Sequence, residues 1–138
     1  MARATTLFVS LILSLATSGA QAQECRHTGQ ESAAEKTRRL QALNMARVVN
    51  TVQERAVTKN GRFFNETELR EAISQMGKLP STNAAPPIAR LEDLAGWEFA
   101  MDSEAKSYWF MLSDKSDPCG FTYISSHRGD ILKAEPLR

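Results

Sequence analysis

The longest apolar pattern in the chain runs through residues 31–58 and has the spacing of an amphipathic helix. The residues that form its apolar stripe, three or four positions apart, are Ala42, Met45, Val49, Val52 and Ala56. The polar residues on the opposite side are Asn44, Arg47, Thr51 and Glu54. The pair Asn60-Gly61 ends the pattern, because glycine readily adopts the left-handed conformation found at helix ends. The sequence therefore predicts one long helix that buries a single face.

A second, shorter helix is predicted after the connection Arg62-Phe63-Phe64. Asn65 and Glu68 have the spacing of a capping box, in which each side chain accepts the other residue's backbone N–H. The residues expected on the buried side of this helix are Leu69, Ala72, Ile73 and Met76. Gly77 ends it, and the proline-containing residues 78–95 are predicted to form a loop.

Beyond residue 95 the apolar period becomes that of β-strands. The predicted strands, separated by short polar turns, are residues 97–101, 107–112, 119–125 and 131–134. The second is an almost continuous apolar run, which predicts a central strand covered on both faces. Connections this short favour an antiparallel meander. The predicted fold class is α+β, with a long N-terminal helix packed on a small antiparallel β-meander of about four strands.

Residues 1–22 have the three parts of a cleavable secretory signal. Arg3 supplies the positive start, residues 7–16 form an apolar core, and Ala20-Gln21-Ala22 matches an A-x-A cleavage site. A bilayer-spanning helix needs about 20 apolar residues, and this core is about half as long, so an uncleaved anchor is disfavoured. We expect a signal peptide, residues 1–22, followed by a single soluble domain, residues 23–138, in the periplasm or the extracellular space.

The charge balance narrows the classes of partner. The chain has 17 Lys+Arg and 16 Asp+Glu, and cleavage after Ala22 removes only Arg3, which leaves 16 of each sign. A neutral chain of mixed charge argues against nucleic acid or an anionic membrane as the main partner, because both require a basic surface.

Two cysteines, Cys25 and Cys119, predict one disulfide in an exported chain. The bond would close most of the mature chain into a loop and stabilise it by about 4 kcal/mol on chain-entropy grounds. Two free or intermolecular thiols are the alternative.

No catalytic or metal-binding constellation is apparent. Cys25, His27, Cys119 and His127 have spacings that match no zinc motif. Calcium at Asp114, Asp117 and Asp130 is an alternative to ordinary turn hydrogen bonding. No nucleophile–base motif is present, so we expect no catalytic residue, no metal and no cofactor.

One tripeptide is a candidate exposed binding turn. Arg128, Gly129 and Asp130 lie between the third and fourth predicted strands and spell a sequence that some cell-adhesion ligands use. The alternative is a simple turn, with glycine there for its backbone and aspartate for a local hydrogen bond.

Several short segments resemble type IV pilins and type II secretion pseudopilins across roughly residues 40–134. In chain order, these segments are residues 47–53, 60–63, 68–69, 96–99, 117–121 and 129–131. The resemblance implies a globular pilin-like headgroup without enzymatic activity. The chain lacks the hydrophobic N-terminal stem of pilins, because its apolar segment precedes the A-x-A site and should be removed.

We therefore expect a non-enzymatic, exported binding or assembly module, linked to an envelope filament or secretion system. Its expected partners are proteins of the cell envelope, with no nucleic acid and no membrane anchor after signal cleavage. The alternative is a small secreted inhibitor or ligand-binding domain, because cystatin-like folds also lay one helix over an antiparallel meander.

Overall fold

A computed structural model describes residues 31–76, 90–117 and 119–135. Its helices are α1 (Ala33–Asn60) and α2 (Glu66–Gln75), followed by a 3₁₀ turn at Leu91–Asp93. Its strands are β1 (Trp97–Glu104), β2 (Ser107–Asp114), β3 (Thr122–Ser126) and β4 (Ile131–Ala134). They form one antiparallel sheet in the order β1-β2-β3-β4. This confirms the predicted α+β fold. The predicted signal peptide, Gly77 and residues 78–89 of the predicted loop lie outside the described residues.

Helix α1 begins and ends at residues suited to those positions. Ser32 and Glu35 form a capping box, in which the Glu35 N–H donates to Ser32 Oγ (3.2 Å) and the Ser32 N–H donates to the Glu35 carboxylate (3.0 Å). Gly61 ends the helix with φ of 72°. All five residues of the predicted stripe are buried, so the 3.6-residue period identified the buried face of α1 correctly.

One polar side chain lies within that buried face. Gln53 is fully buried, and its amide makes two hydrogen bonds to the backbone of Phe64. The Phe64 N–H donates to Gln53 Oε1 (2.8 Å), and Gln53 Nε2 donates to the Phe64 carbonyl (2.9 Å). A buried polar group costs free energy unless it is paired. Here the pairing fixes the connection between α1 and α2.

Helix α2 has the predicted capping box at Asn65 and Glu68, with both hydrogen bonds 3.0 Å long. Leu69 and Ile73 are fully buried, as predicted. The prediction for Met76 was wrong: this residue is 39% exposed because it lies beyond the last helical residue, where the chain no longer follows the buried face.

Four strand boundaries differ from the prediction, two of them by only one or two residues: β2 ends at Asp114 and β3 ends at Ser126. Strand β1 extends to Glu104, so the hairpin turn shortens to Ala105-Lys106. Strand β3 begins at Thr122 and not at Cys119, because the residues before it form a tight turn. In that turn the Cys119 N–H donates to Asp117 Oδ1 (2.9 Å), and the Gly120 N–H donates to the Asp117 carbonyl (2.8 Å).

The prediction that the second strand is covered on both faces was wrong. Strand β2 is central, and Tyr108, Phe110 and Leu112 are buried in the core that the two helices share with the sheet. Trp109, on the other face, is 44% exposed. Both helices contribute to a core on one side of the sheet, and the described residues provide no second layer.

Candidate functional site

The outer face of the sheet, which points away from the helices, carries an apolar row that crosses all four strands. The row consists of one residue from each strand, in the order Ala100, Met111, Ile124 and Leu132, and each is the direct register partner of the next. Their neighbours along the strands contribute to the helix-facing core, so alternation places the row outside. Ile124 is 37% and Leu132 65% exposed.

Acidic residues border this row along β1. Trp109 lies on the same face, directly opposite Asp102 in the ladder, and Glu104 is two residues further along β1. Glu98, at the other end of β1, pairs with Lys115 at 2.8 Å. Within the described ranges, Asp102 and Glu104 form no salt bridge. The outer face is therefore apolar at its centre and negatively charged at its β1 edge.

The turn between β3 and β4 displays the predicted tripeptide. Arg128, Gly129 and Asp130 are all exposed. Gly129 has φ of 81°, a conformation that favours glycine, and its N–H donates to the Ser126 carbonyl (2.8 Å). The sequence thus predicted the position and exposure of this turn, while its use as a binding element stays a prediction.

Asn50 of α1 connects that turn to the sheet. Its Nδ2 donates to Ser125 Oγ and to the Gly129 carbonyl, both at 2.9 Å. Its Oδ1 accepts a hydrogen bond from the Tyr108 hydroxyl (2.9 Å). The Ser125 hydroxyl donates in turn to the Asp130 carbonyl (2.7 Å). The Asn50 amide therefore links β2, β3 and Gly129, and Ser125 extends the network to Asp130.

A cleft of about 340 Å³ lies beside this network, between α1 and the turn. Glu54 lines it from α1 and Arg128 lines it from the turn. Phe63 and Tyr108 also line it, with their rings packed edge to face at 4.8 Å. Burial, with a smaller contribution from the Glu54 carboxylate, raises the pKa of Tyr108 to about 12, so its hydroxyl stays a neutral hydrogen-bond donor near neutral pH.

The two predicted disulfide positions are described unequally. Cys119 lies in the tight turn before β3 and takes part in a disulfide bond. Cys25 lies outside the described residues, so the Cys25–Cys119 pairing stays a prediction.

The described part of the chain shows neither a metal-binding cluster nor a membrane-spanning helix. Among residues 31–76, 90–117 and 119–135, no group of three or more His, Cys, Asp or Glu is placed to hold a metal ion. Over the same ranges, no helix has the length and apolar character needed to cross a bilayer.

Comparisons with known proteins give no match. No protein-family model matches the chain, and no curated protein or solved structure is significantly similar to it.

The sequence interpretation missed both the apolar row and the cleft. A signal for the row was present, because one long helix can cover only one face of a sheet. The outward residues of the apolar run at 107–112, Trp109 and Met111, should therefore have been expected at the surface. Nothing local marks Asn50 or Glu54, whose roles depend on a turn more than 70 residues away.

Proposed function

We propose that this chain is an exported, non-enzymatic module that binds another protein through the outer face of its sheet. The proposal rests chiefly on the apolar row. Large contiguous apolar surfaces are uncommon on monomeric proteins and often mark interaction sites. Here one apolar residue from each of four strands, together with Trp109, lies on the face opposite the packed core, and Trp109, Ile124 and Leu132 are exposed there.

The negative charge beside the row supports a partner with basic residues. Asp102 and Glu104 lie exposed at the β1 side of the row. A complementary surface would present apolar side chains next to lysine or arginine, which would bury the row and pair with the two carboxylates. Such charge complementarity contributes mainly to specificity and to the rate of association. Trp109 is suited to anchoring the contact, because tryptophan is enriched among residues that dominate binding energy.

The cellular context belongs to the same proposal. The signal-like residues 1–22 support export, and the resemblance to pilins and pseudopilins supports a place in an envelope filament or secretion system. Genes for filament or secretion components beside the gene for this chain would support that context. A ligand-binding domain is the second candidate, favoured by the cleft at Glu54 and Arg128.

Site-specific photo-crosslinking tests the docking surface. A photoreactive side chain at position 132, in the full chain expressed in its own cells, should give one discrete adduct with another protein. Ile124→Glu in the same chain should abolish that adduct, because a charge in the middle of the row opposes its burial. The partner peptide at the crosslink should carry apolar residues beside lysine or arginine.

Met76 provides a matched control, because it is also an exposed apolar residue. It lies at the end of α2, on the side of the sheet that the helices cover, and not on the outer face. A crosslinker at position 76 should give no such adduct. Equal adducts from positions 132 and 76, an adduct with a second copy of this chain, or no protein adduct from position 132 would each overturn the proposal. Circular dichroism of the Ile124→Glu variant should match wild type.

A further inference from the structure

The cleft between α1 and the β3–β4 turn has opposite charges on its two walls. Glu54 and Arg128 are both exposed and both line the same cavity. They form no salt bridge with each other, nor with any other charged residue in the part of the chain that the structure describes. A cleft that keeps a carboxylate and a guanidinium apart is complementary to a ligand that carries both a cation and an anion.

The aromatic lining favours the cationic end of such a ligand. Phe63 and Tyr108 pack edge to face and line the cleft together with Glu54. Aromatic faces attract ammonium groups, and a carboxylate beside them adds a charge-assisted hydrogen bond. The Tyr108 proton is donated to Asn50, so its oxygen can still accept a hydrogen bond from a ligand N–H.

The opposite wall is held in position before any ligand binds. Asn50 and Ser125 bind the carbonyls of Gly129 and Asp130, which fixes the backbone on the C-terminal side of Arg128. A wall that is already ordered loses less conformational entropy on binding. The cavity, about 340 Å³, is within the size range of small-molecule sites and exceeds what two charged groups alone would fill.

We propose that this cleft binds a free α-amino acid, with its ammonium group against Glu54 and its carboxylate against Arg128. The remaining space accommodates an uncharged side chain next to Phe63 and Val57. The site is separate from the outer face of the sheet, and the proposal does not depend on the protein-binding function.

Calorimetric titration of the purified exported protein with three related ligands tests the assignment. L-leucine carries both charges, L-leucinamide lacks the carboxylate, and N-acetyl-L-leucine lacks the ammonium group. Leucine should bind about tenfold more tightly than either analogue, the difference expected for one charge-assisted contact.

Two variants should each weaken the binding of a different pair of these ligands. Glu54→Gln should weaken leucine and leucinamide about tenfold and leave N-acetyl-leucine unchanged. Arg128→Gln should weaken leucine and N-acetyl-leucine about tenfold and leave leucinamide unchanged. Matched charge-removing controls, Glu71→Gln and Arg47→Gln on exposed helix positions, should leave all three affinities unchanged.

The proposal is overturned by the absence of saturable leucine binding at millimolar concentration. Equal binding of all three ligands, or a uniform loss of all three in either variant, would also overturn it, because neither depends on the individual charges. Leu132→Glu on the outer face should leave leucine binding unchanged, so failure of the docking proposal and failure of this one are distinguishable.

Discussion

Arg38 and Asp114 form a two-pronged salt bridge that joins the start of α1 to the end of β2. Arg38 Nη1 lies 2.9 Å from Asp114 Oδ1, and Nη2 lies 2.7 Å from Oδ2. The Asp114 side chain is almost fully buried, whereas that of Arg38 is partly exposed. Ser116 also donates to Asp114, from both its N–H (3.0 Å) and its hydroxyl (2.8 Å). The carboxylate thus anchors the helix to the loop after β2.

This pair predicts a specific loss of stability in acid. Burial disfavours the charged form of Asp114, but the hydrogen bonds from Arg38 and Ser116 outweigh it and lower the pKa of this carboxyl. A carboxyl with a lowered folded-state pKa stabilises the fold above its unfolded pKa of about 3.9. That stabilisation is lost as pH falls through the folded-state value. Asp114→Asn should lower the free energy of unfolding by about 1–3 kcal/mol at neutral pH. On acidification, the variant should lose less stability than wild type.

Urea unfolding at neutral pH and at about pH 3 measures both effects. Glu98→Gln is the control, because Glu98 and its partner Lys115 are both mostly exposed, and such pairs contribute less than about 1 kcal/mol. A variant Asp114→Asn as stable as Glu98→Gln at neutral pH would show that the anchor contributes little.

The Asn50 network predicts a coupled loss of stability and of order in the turn. Asn50→Ala leaves the Tyr108 hydroxyl and the Gly129 carbonyl without their partner, so the free energy of unfolding should fall by about 2–3 kcal/mol. Amide hydrogen exchange should accelerate at Gly129. Thr51→Ala removes only a bond to the Arg47 carbonyl in the same helix and should change stability by less than about 0.5 kcal/mol. Unchanged exchange at Gly129 would contradict the role assigned to Asn50.

The raised pKa of Tyr108 predicts that the fold loses stability at alkaline pH. This pKa is raised, first by burial and then by Glu54, to about 12, against about 10 in the unfolded chain. A raised pKa favours the protonated phenol in the folded state, so stability falls as pH rises from about 10 towards 12. Ultraviolet titration of Tyr123→Phe, which leaves Tyr108 as the only tyrosine, should show this late ionisation. Ionisation near pH 10 in the folded protein would contradict it.

The predicted Cys25–Cys119 disulfide can be tested with single and double serine variants. Cys25→Ser and Cys119→Ser should lower the melting temperature equally, and the double variant should cost little more, because each single change removes the same bond. The free energy of unfolding should fall by a few kcal/mol, up to about 4 kcal/mol, in each variant. Thiol titration of the denatured, unreduced protein should find no free thiol. Two free thiols, or single variants as stable as wild type, would refute the pairing.

Local patterns predicted the elements well because their causes are local. The α1 stripe follows from the helical period, and both ends of that helix follow from short-range hydrogen bonds and one glycine. The capping box at Asn65 has the same kind of cause, since its two residues are three positions apart. Such features depend only on neighbours in the chain.

The features that the sequence missed depend on distant partners. The later start of β3, at Thr122, is the exception, because its cause is local: the Asp117 turn includes Gly120, where an added Cβ would lie 2.8 Å from Asp114 Cβ and 2.9 Å from the Asp117 carbonyl oxygen. Gln53 is buried because the Phe64 backbone returns to meet it. The cleft exists because α1 passes beside a turn that comes late in the chain. The periodicity of one segment does not indicate which distant segment packs against it.

The apolar row depends on the register of all four strands. Each strand supplies one of its residues, and side chains alternate between faces, so a one-residue slip of any strand would turn its contribution inward and bring a core residue to the surface. The row is therefore complete only when all four strands are paired in the native register. A partner that binds this surface would bind natively paired molecules and would not bind misregistered ones. Binding would therefore select for correctly folded protein.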